Sequence, residues 1–193
     1  MEHYLQRLSE IYNAIDIAYK KAQLHYAFSC EGCADNCCVT RFHHHTVVEE
    51  LYLAQGLKML GAEKIKDIKS RAEDVVHIHK TSADETAMCP LNENTLCLIY
   101  EYRSMICRVH GVPYKVYKMD SSIEYGAGCY RFLTEKAEAA EDYIINRTPF
   151  YLDIARLEKE VREYLNMPGK YKKTTAEMAL NIISCKGFVK GEK

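Results

Sequence analysis

The segment from residue 30 to residue 38 constrains the chain most, because it places four cysteines within nine positions. No apolar side chain larger than that of Ala34 stands between these cysteines, so the segment has little to add to a hydrophobic core. Two residues separate Cys30 from Cys33, a spacing that lets both sulfur atoms turn toward one metal ion. The segment is therefore predicted to be held in shape by a metal.

Cys37 and Cys38 are adjacent in this segment, and neighbouring side chains of an extended backbone point to opposite faces. Two interpretations follow. The two residues serve two neighbouring metal centres, or one is a ligand and the other is a buried neighbour or redox partner. The cysteines on either side do not decide between them.

Four more cysteines follow at wide intervals, which gives eight predicted metal ligands: Cys30, Cys33, Cys37, Cys38, Cys89, Cys97, Cys107 and Cys129. Eight thiolates divide into two tetrahedral zinc sites or supply one multinuclear iron–sulfur cluster. Zinc and iron both accept thiolate ligands, and the spacing matches neither common ferredoxin pattern, so both metals stay open. Cys185 lies far from the others and is predicted to be a small buried hydrophobic residue.

Composition places the chain among ordinary globular proteins, with 193 residues, 48% hydrophobic and 27% charged. The formal net charge of −1 argues against nucleic acid or an anionic membrane as a partner. No apolar run is long enough to span a bilayer and no secretory signal is evident, so a cytoplasmic location is expected. In a reducing compartment, nine cysteines favour metal binding or redox chemistry over disulfides.

An amphipathic helix is predicted over residues 3–28, because apolar or tyrosine side chains recur every three or four positions at Leu5, Leu8, Tyr12, Ile15, Tyr19, Ala22 and Tyr26. Such a stripe is typical of a helix that faces the core. A second interpretation is that this tyrosine-rich helix binds a protein partner or forms a homodimer.

Two helices are predicted next, and together they form a hairpin. Thr46 and Glu49 have the spacing of a capping box that opens the first, and Gly61 stands where a C-terminal glycine cap belongs. The second helix runs over residues 62–80. Residues 81–131 are expected to be irregular, with short strands in 96–100 and 112–119, and to be anchored by the metal.

The last part of the chain is predicted to be helical again. One helix covers residues 135–146, and another begins with Thr148 as its cap and Pro149 as its first residue and reaches about residue 167. Thr174 and Glu177 form a further capping box before a short final helix.

The predicted fold class is thus mainly α, with an irregular cysteine-rich metal-binding core and short β-strands (α+β). One domain is expected over residues 1–193, with the cysteine region at 30–130 flanked by helices 3–28 and 134–184.

Histidines and arginines near the cysteines are the other candidate site residues. At least two of the three histidines from His43 to His45 are expected to face solvent, because eight thiols already satisfy two four-coordinate centres. Arg103 and Arg108 would offset part of the charge of a thiolate site. With Tyr100 and His110 they are also the groups expected around a substrate pocket, if the protein is an enzyme.

The cysteines and their neighbours resemble the YkgJ-like cysteine-cluster family, a zinc- or iron-chelating domain known by its CxxCxxCC motif. The resemblance lies in Cys30-x2-Cys33-x3-Cys37-Cys38, Cys89-Pro90-Leu91, Cys97-Leu98-Ile99-Tyr100-Glu101-Tyr102-Arg103, Cys107-Arg108 and the late Cys129. Two departures occur: three residues rather than two separate Cys33 from Cys37, and Ser104 stands where the family usually has Pro.

The resemblance implies metal binding and no particular reaction. Flagellin lysine-N-methylases are similar in their cysteine pattern, which implies the alternative of an iron–sulfur enzyme that performs methyl transfer or redox chemistry. No glycine-rich nucleotide loop accompanies the cysteines to hold a methyl donor.

Overall fold

The computed structural model describes residues 1–30, 37–82, 85–139 and 142–185. Within these ranges the chain is mainly α with small sheets, as predicted. The described residues form the helices α1 (Glu2–Tyr26), α2 (Val47–Lys58), α3 (Ala62–Thr81), α4 (Met105–Val109), α5 (Tyr130–Lys136), α6 (Thr148–Tyr164) and α7 (Thr175–Ser184). Three 3₁₀ turns add Cys37–Val39, Tyr100–Tyr102 and Ala137–Ala139.

The strands are short: β1 (His43–His44), β2 (Asn92–Glu93), β3 (Leu96–Cys97), β4 (Tyr114–Tyr117), β5 (Ile123–Gly126), β6 (Ile145–Asn146) and β7 (Lys173–Thr174). β1 pairs with β7 and β2 with β3, both antiparallel. β4 is the centre of a three-stranded sheet, antiparallel to β5 and parallel to β6.

Internal contacts divide the chain into two compact units. Unit 1 consists of Met1–Cys37 and Met105–Leu165, and unit 2 consists of Cys38–Ser104 and Asn166–Lys193. The expectation of one domain stays a prediction. The first boundary between the units along the chain falls between the adjacent residues Cys37 and Cys38.

Unit 1 is built on α1, whose stripe faces the core as predicted. Leu5, Leu8, Tyr12, Ile15, Ala22 and Tyr26 are buried, and the helix packs against α4, α6 and β6. At its end the rings of Tyr26 and Phe28 meet Phe132 of α5 edge to face, with centroids 4.8 and 5.2 Å apart. The apolar stripe of α1 is buried inside unit 1, so it gives no support to the interpretation that this helix binds a protein partner or forms a homodimer. That interpretation stays a prediction.

Unit 2 is built on α2, α3 and α7. Leu57 of α2, Ile68 of α3 and Met178 of α7 are fully buried in one apolar cluster. The capping box predicted for Thr174 is confirmed: its side chain accepts from the Glu177 backbone, and the Glu177 carboxylate accepts from the Thr174 backbone. This cap fixes where α7 begins.

Four local predictions were wrong. Gly61 precedes α3 as its N-cap and does not end α2, which stops at Lys58. The Thr46 hydroxyl donates to the Glu49 carboxylate at 2.5 Å and makes no capping bond to the backbone. The helix predicted from Pro149 to about residue 167 is present as α6, but it begins at Thr148, one residue before the predicted start, and ends at Tyr164. Cys185 is exposed, because α7 ends at the preceding residue.

The prediction of a helix over residues 135–146 was also wrong, at both of its ends. α5 starts earlier, at Tyr130, and Ile145 lies in β6, where it pairs with Tyr114 of β4 and is buried. The predicted strand segments 96–100 and 112–119 are present in shortened form as β3 and β4.

Across the described part of the chain, no helix is both long and apolar enough to cross a membrane.

Candidate metal centres

The two units share the predicted metal ligands unequally. Unit 1 carries Cys30, Cys37, Cys107 and Cys129, while unit 2 carries Cys38, Cys89 and Cys97. Cys33 lies outside the described residues. All eight described cysteines are thiols and not disulfides. Unit 2 therefore has three of the predicted ligands, one fewer than a tetrahedral centre requires.

Tyr19 of α1 lies next to thiols of unit 1. Its hydroxyl is 3.4 Å from the Cys30 sulfur and donates to the His110 carbonyl at 2.7 Å. Burial raises the pKa of Tyr19, and the charges of Cys30, Cys129 and Cys37 raise it further. These three cysteines are called the Tyr19 thiol group below. The hydroxyl stays protonated and acts as a donor.

Backbone turns place Cys129 in this group. Gly111 has a φ of 118°, and its carbonyl accepts from the Cys129 backbone at 3.1 Å. The Cys129 sulfur then accepts from the Phe132 backbone at 3.4 Å, as the N-cap of α5. Because Phe132 also packs on Phe28, the two ends of the cysteine region are brought to the same side of α1.

The arginines have structural contacts. The Arg108 guanidinium lies over the Tyr12 ring, 4.1 Å from its centroid, and forms an ion pair with Asp16 at 2.5 Å. Arg103 lies over the Tyr100 ring at 3.6 Å and donates to the Tyr100 carbonyl. Burial lowers the pKa of His110. The contacts of Arg108 connect α4 to α1, and those of Arg103 hold the turn Tyr100–Tyr102.

Cys38, Cys89 and Cys97 are called the Cys89 thiol group. The Cys89 backbone donates to the Cys38 carbonyl at 2.8 Å, so the two loops are joined next to their thiols. The Asn92 backbone donates to the Cys89 carbonyl at 2.9 Å, and Asn92 pairs with Cys97 across β2 and β3. Burial raises the pKa of the Cys89 thiol to about 12, and the neighbouring Cys38 and Cys97 add to this. Cys89 is therefore a neutral thiol at neutral pH.

A cavity of about 20 Å³ lies beside this group, which is room for about one water molecule or one ion. Cys38, Cys89, Arg41 and His79 are among the residues that line it. Both ring nitrogens of His79 are buried, and neither has a hydrogen-bond partner among the described residues. Burial lowers the pKa of His79, and the nearby charge of Arg41 lowers it further.

In the described ranges, no three His, Cys, Asp or Glu side chains lie close enough together to hold a metal ion. The donor chemistry of both thiol groups suits a soft metal, but their atoms do not meet at one point in this arrangement. The histidine triplet adds no ligand to either group: His43 and His45 are exposed, as predicted, and His44 is buried against the Thr175 hydroxyl at 3.0 Å.

His79 is the residue that the sequence analysis did not select. Its position could be noticed in the sequence, because His79 follows Val75 by four residues and lies in line with the buried residues of α3. A histidine at that position is compatible with a simple core role, so the sequence alone gave no reason to choose it.

Comparison with protein-family models, with curated proteins and with solved structures gives no match to this chain. The resemblance to the YkgJ-like family therefore rests on the residue pattern alone.

Proposed function

We propose that the protein binds zinc or iron through its cysteine cluster, and that the metal stabilises the loops that carry the thiols. The observation that carries this proposal is the grouping of distant cysteines. Cys30 and Cys129 come from opposite ends of the cysteine region, and both act on Tyr19. Cys38 and Cys89 are joined through their backbones in unit 2.

The turn that carries Cys37 and Cys38 has little apolar packing of its own, whereas the loop of Cys89 and Cys97 places Leu91 and Ile99 in the core of unit 2. In the turn Cys37–Val39 no residue is buried, and β2 and β3 have two residues each. Elements this short are seldom stable by themselves, and a metal is one means of holding them in addition to packing. Metal binding would draw the sulfur atoms of each group together. The described thiols also fit a reducing compartment such as the cytoplasm.

The test is elemental analysis of protein purified without oxygen, read with its visible spectrum. We expect tightly held zinc or iron in at least stoichiometric amount. Colourless protein with zinc would favour two thiolate zinc centres, whereas brown protein with charge-transfer absorption would favour the iron–sulfur alternative and direct attention to an enzyme activity.

Single cysteine variants localise the metal. Cys129→Ser and Cys89→Ser should each reduce the metal content, because each removes one thiolate from a different group. Cys185→Ser is the matched control, since this exposed cysteine belongs to neither group, and its metal content should equal that of wild type. Fully folded wild-type protein without metal, and unchanged in stability by added zinc or iron, would overturn the proposal.

A further inference from the structure

A half-buried histidine follows the buried stripe of α3. Ile68, Ala72 and Val75 follow one another at intervals of three or four residues inside the core of unit 2, and His79 takes the next position. His79 carries two buried ring nitrogens with no hydrogen-bond partner among the described residues.

Such an arrangement requires an explanation, because buried polar atoms are nearly always satisfied. An uncompensated buried polar group is destabilising. The cavity beside the ring has room for one small occupant, and Cys38 and Cys89 line the same cavity. The occupant that would satisfy an imidazole nitrogen and two thiols together is a metal cation.

We propose that His79 is the fourth ligand of a metal centre in unit 2, completing a Cys₃His set with Cys38, Cys89 and Cys97. This inference rests on the proposed function. It follows from the division of the cysteines, since unit 2 carries three members of the predicted set. The three thiols and the ring do not meet at one point in this structure, so binding requires them to turn toward the cavity.

Arg41 fits the charge of such a centre. Three thiolates and one neutral imidazole around a divalent cation leave one net negative charge, and a guanidinium beside them offsets it. Arg41 lines the cavity and donates to the His79 carbonyl at 2.9 Å. The same bond holds the last turn of α3, and with it the imidazole, next to the thiol loop.

Cobalt titration of the metal-free full-length protein tests the inference, because the visible bands of tetrahedral Co²⁺ shift with the number of sulfur ligands. The contribution of unit 2 is the part of the spectrum that Cys89→Ser removes. In His79→Ala we expect that part to weaken or to lose its tetrahedral character, with Co²⁺ affinity reduced roughly 10- to 100-fold or more. His79→Cys should restore tight binding with bands moved to longer wavelength.

His77→Ala is the matched control, since His77 is exposed on the same helix two residues earlier, and its titration should match wild type. Circular dichroism of the metal-free variants shows whether each one is folded. If His79→Ala keeps the wild-type spectrum and affinity while Cys89→Ser loses its signal, His79 is not a ligand and its nitrogens are satisfied by water. If Cys89→Ser changes nothing either, the proposed function itself fails in unit 2.

Discussion

At the scale of single residues, glycines and histidines at tightly packed positions control the surroundings of the thiols. Gly111 has the left-handed φ of 118° that permits its carbonyl to reach Cys129. A Cβ atom there would lie 2.6 Å from the Tyr19 hydroxyl and 3.7 Å from the Cys30 sulfur. The hydroxyl cannot move without giving up its bond to the His110 carbonyl.

Gly111→Ala should therefore destabilise the protein by more than the cost of its backbone conformation alone. Gly169→Ala is the matched control, because Gly169 also has a positive φ, of 96°, but its Cβ would meet nothing within 4 Å. We expect a loss of about 1–2 kcal/mol for Gly169→Ala and a larger loss for Gly111→Ala in urea unfolding. Equal losses would show that Tyr19 does not restrict this site.

His44 makes stability depend on pH. Burial lowers its pKa, against an opposing effect of Glu49, so the folded protein takes up a proton there less readily than the unfolded chain does. Its contribution to stability is complete above the unfolded value of about 6.5 and is lost as the pH falls below that value toward the folded pKa.

In His44→Gln, which retains a side-chain hydrogen-bonding group but does not titrate, the fall in stability between about pH 7.5 and pH 5.5 should be smaller than in wild type. Denaturant midpoints at each pH measure this. His45→Gln, at the exposed neighbouring position, is the control for the loss of a histidine from this segment. A His44→Gln slope as steep as that of wild type would contradict the assignment.

At the scale of helices and turns, the contact between α2 and the turn Tyr100–Tyr102 overrides local propensity. Gly56 lies inside α2, where alanine is normally better by about 1 kcal/mol. A Cβ atom at Gly56 would lie 2.7 Å from the Cβ and Cγ atoms of Tyr102, which also packs on Tyr52. The helix lacks a side chain there because the turn occupies the space.

Gly56→Ala should therefore destabilise the protein, against the usual preference of a helix. In a Tyr102→Gly background, which removes both the Cβ atom and the ring of Tyr102, the same change should instead stabilise by up to about 1 kcal/mol, because the contact is gone and the propensity remains. Chemical denaturation of the four proteins of this cycle measures the coupling. A Gly56→Ala variant that is more stable than wild type in both backgrounds would exclude the contact.

Helices with a clear apolar period were predictable from sequence, as α1 and α3 show, and so was the capped start of α7. The 135–146 prediction was wrong because Ile145 pairs with Tyr114, a partner some thirty residues away that no local pattern contains. The candidate site likewise has a part that is predictable from local sequence and a part that depends on long-range packing. Clustered cysteines are visible in the sequence, whereas the position of His79 beside Cys89 depends on how α3 packs.

At the scale of the whole molecule, each thiol group joins segments that are far apart in sequence. The Tyr19 thiol group includes Cys30 and Cys129 of unit 1, and the Cys89 thiol group includes Cys38 and Cys97 of unit 2. Loss of one group should therefore loosen its own unit first, because opening is local where few apolar contacts remain.

Hydrogen exchange of the metal-loaded protein should reveal this. Cys89→Ser is expected to speed exchange in β2 and β3 while α1 and α6 keep wild-type protection, and Cys129→Ser is expected to speed exchange around α5. Removal of all metal with a chelator should speed exchange both in β2 and β3 and around α5. A uniform change across both units after either substitution would show that they open together.

The division between Cys37 and Cys38 also affects how the chain is made. Unit 2 interrupts unit 1 at residues 38–104, and unit 1 interrupts unit 2 at residues 105–165, so neither is a continuous stretch. A nascent chain leaving the ribosome cannot complete unit 1 until α6 has been synthesised, or unit 2 until α7 has followed. For most of its synthesis the polypeptide therefore carries cysteines with only part of their surroundings in place, a period in which their thiols are open to oxidation.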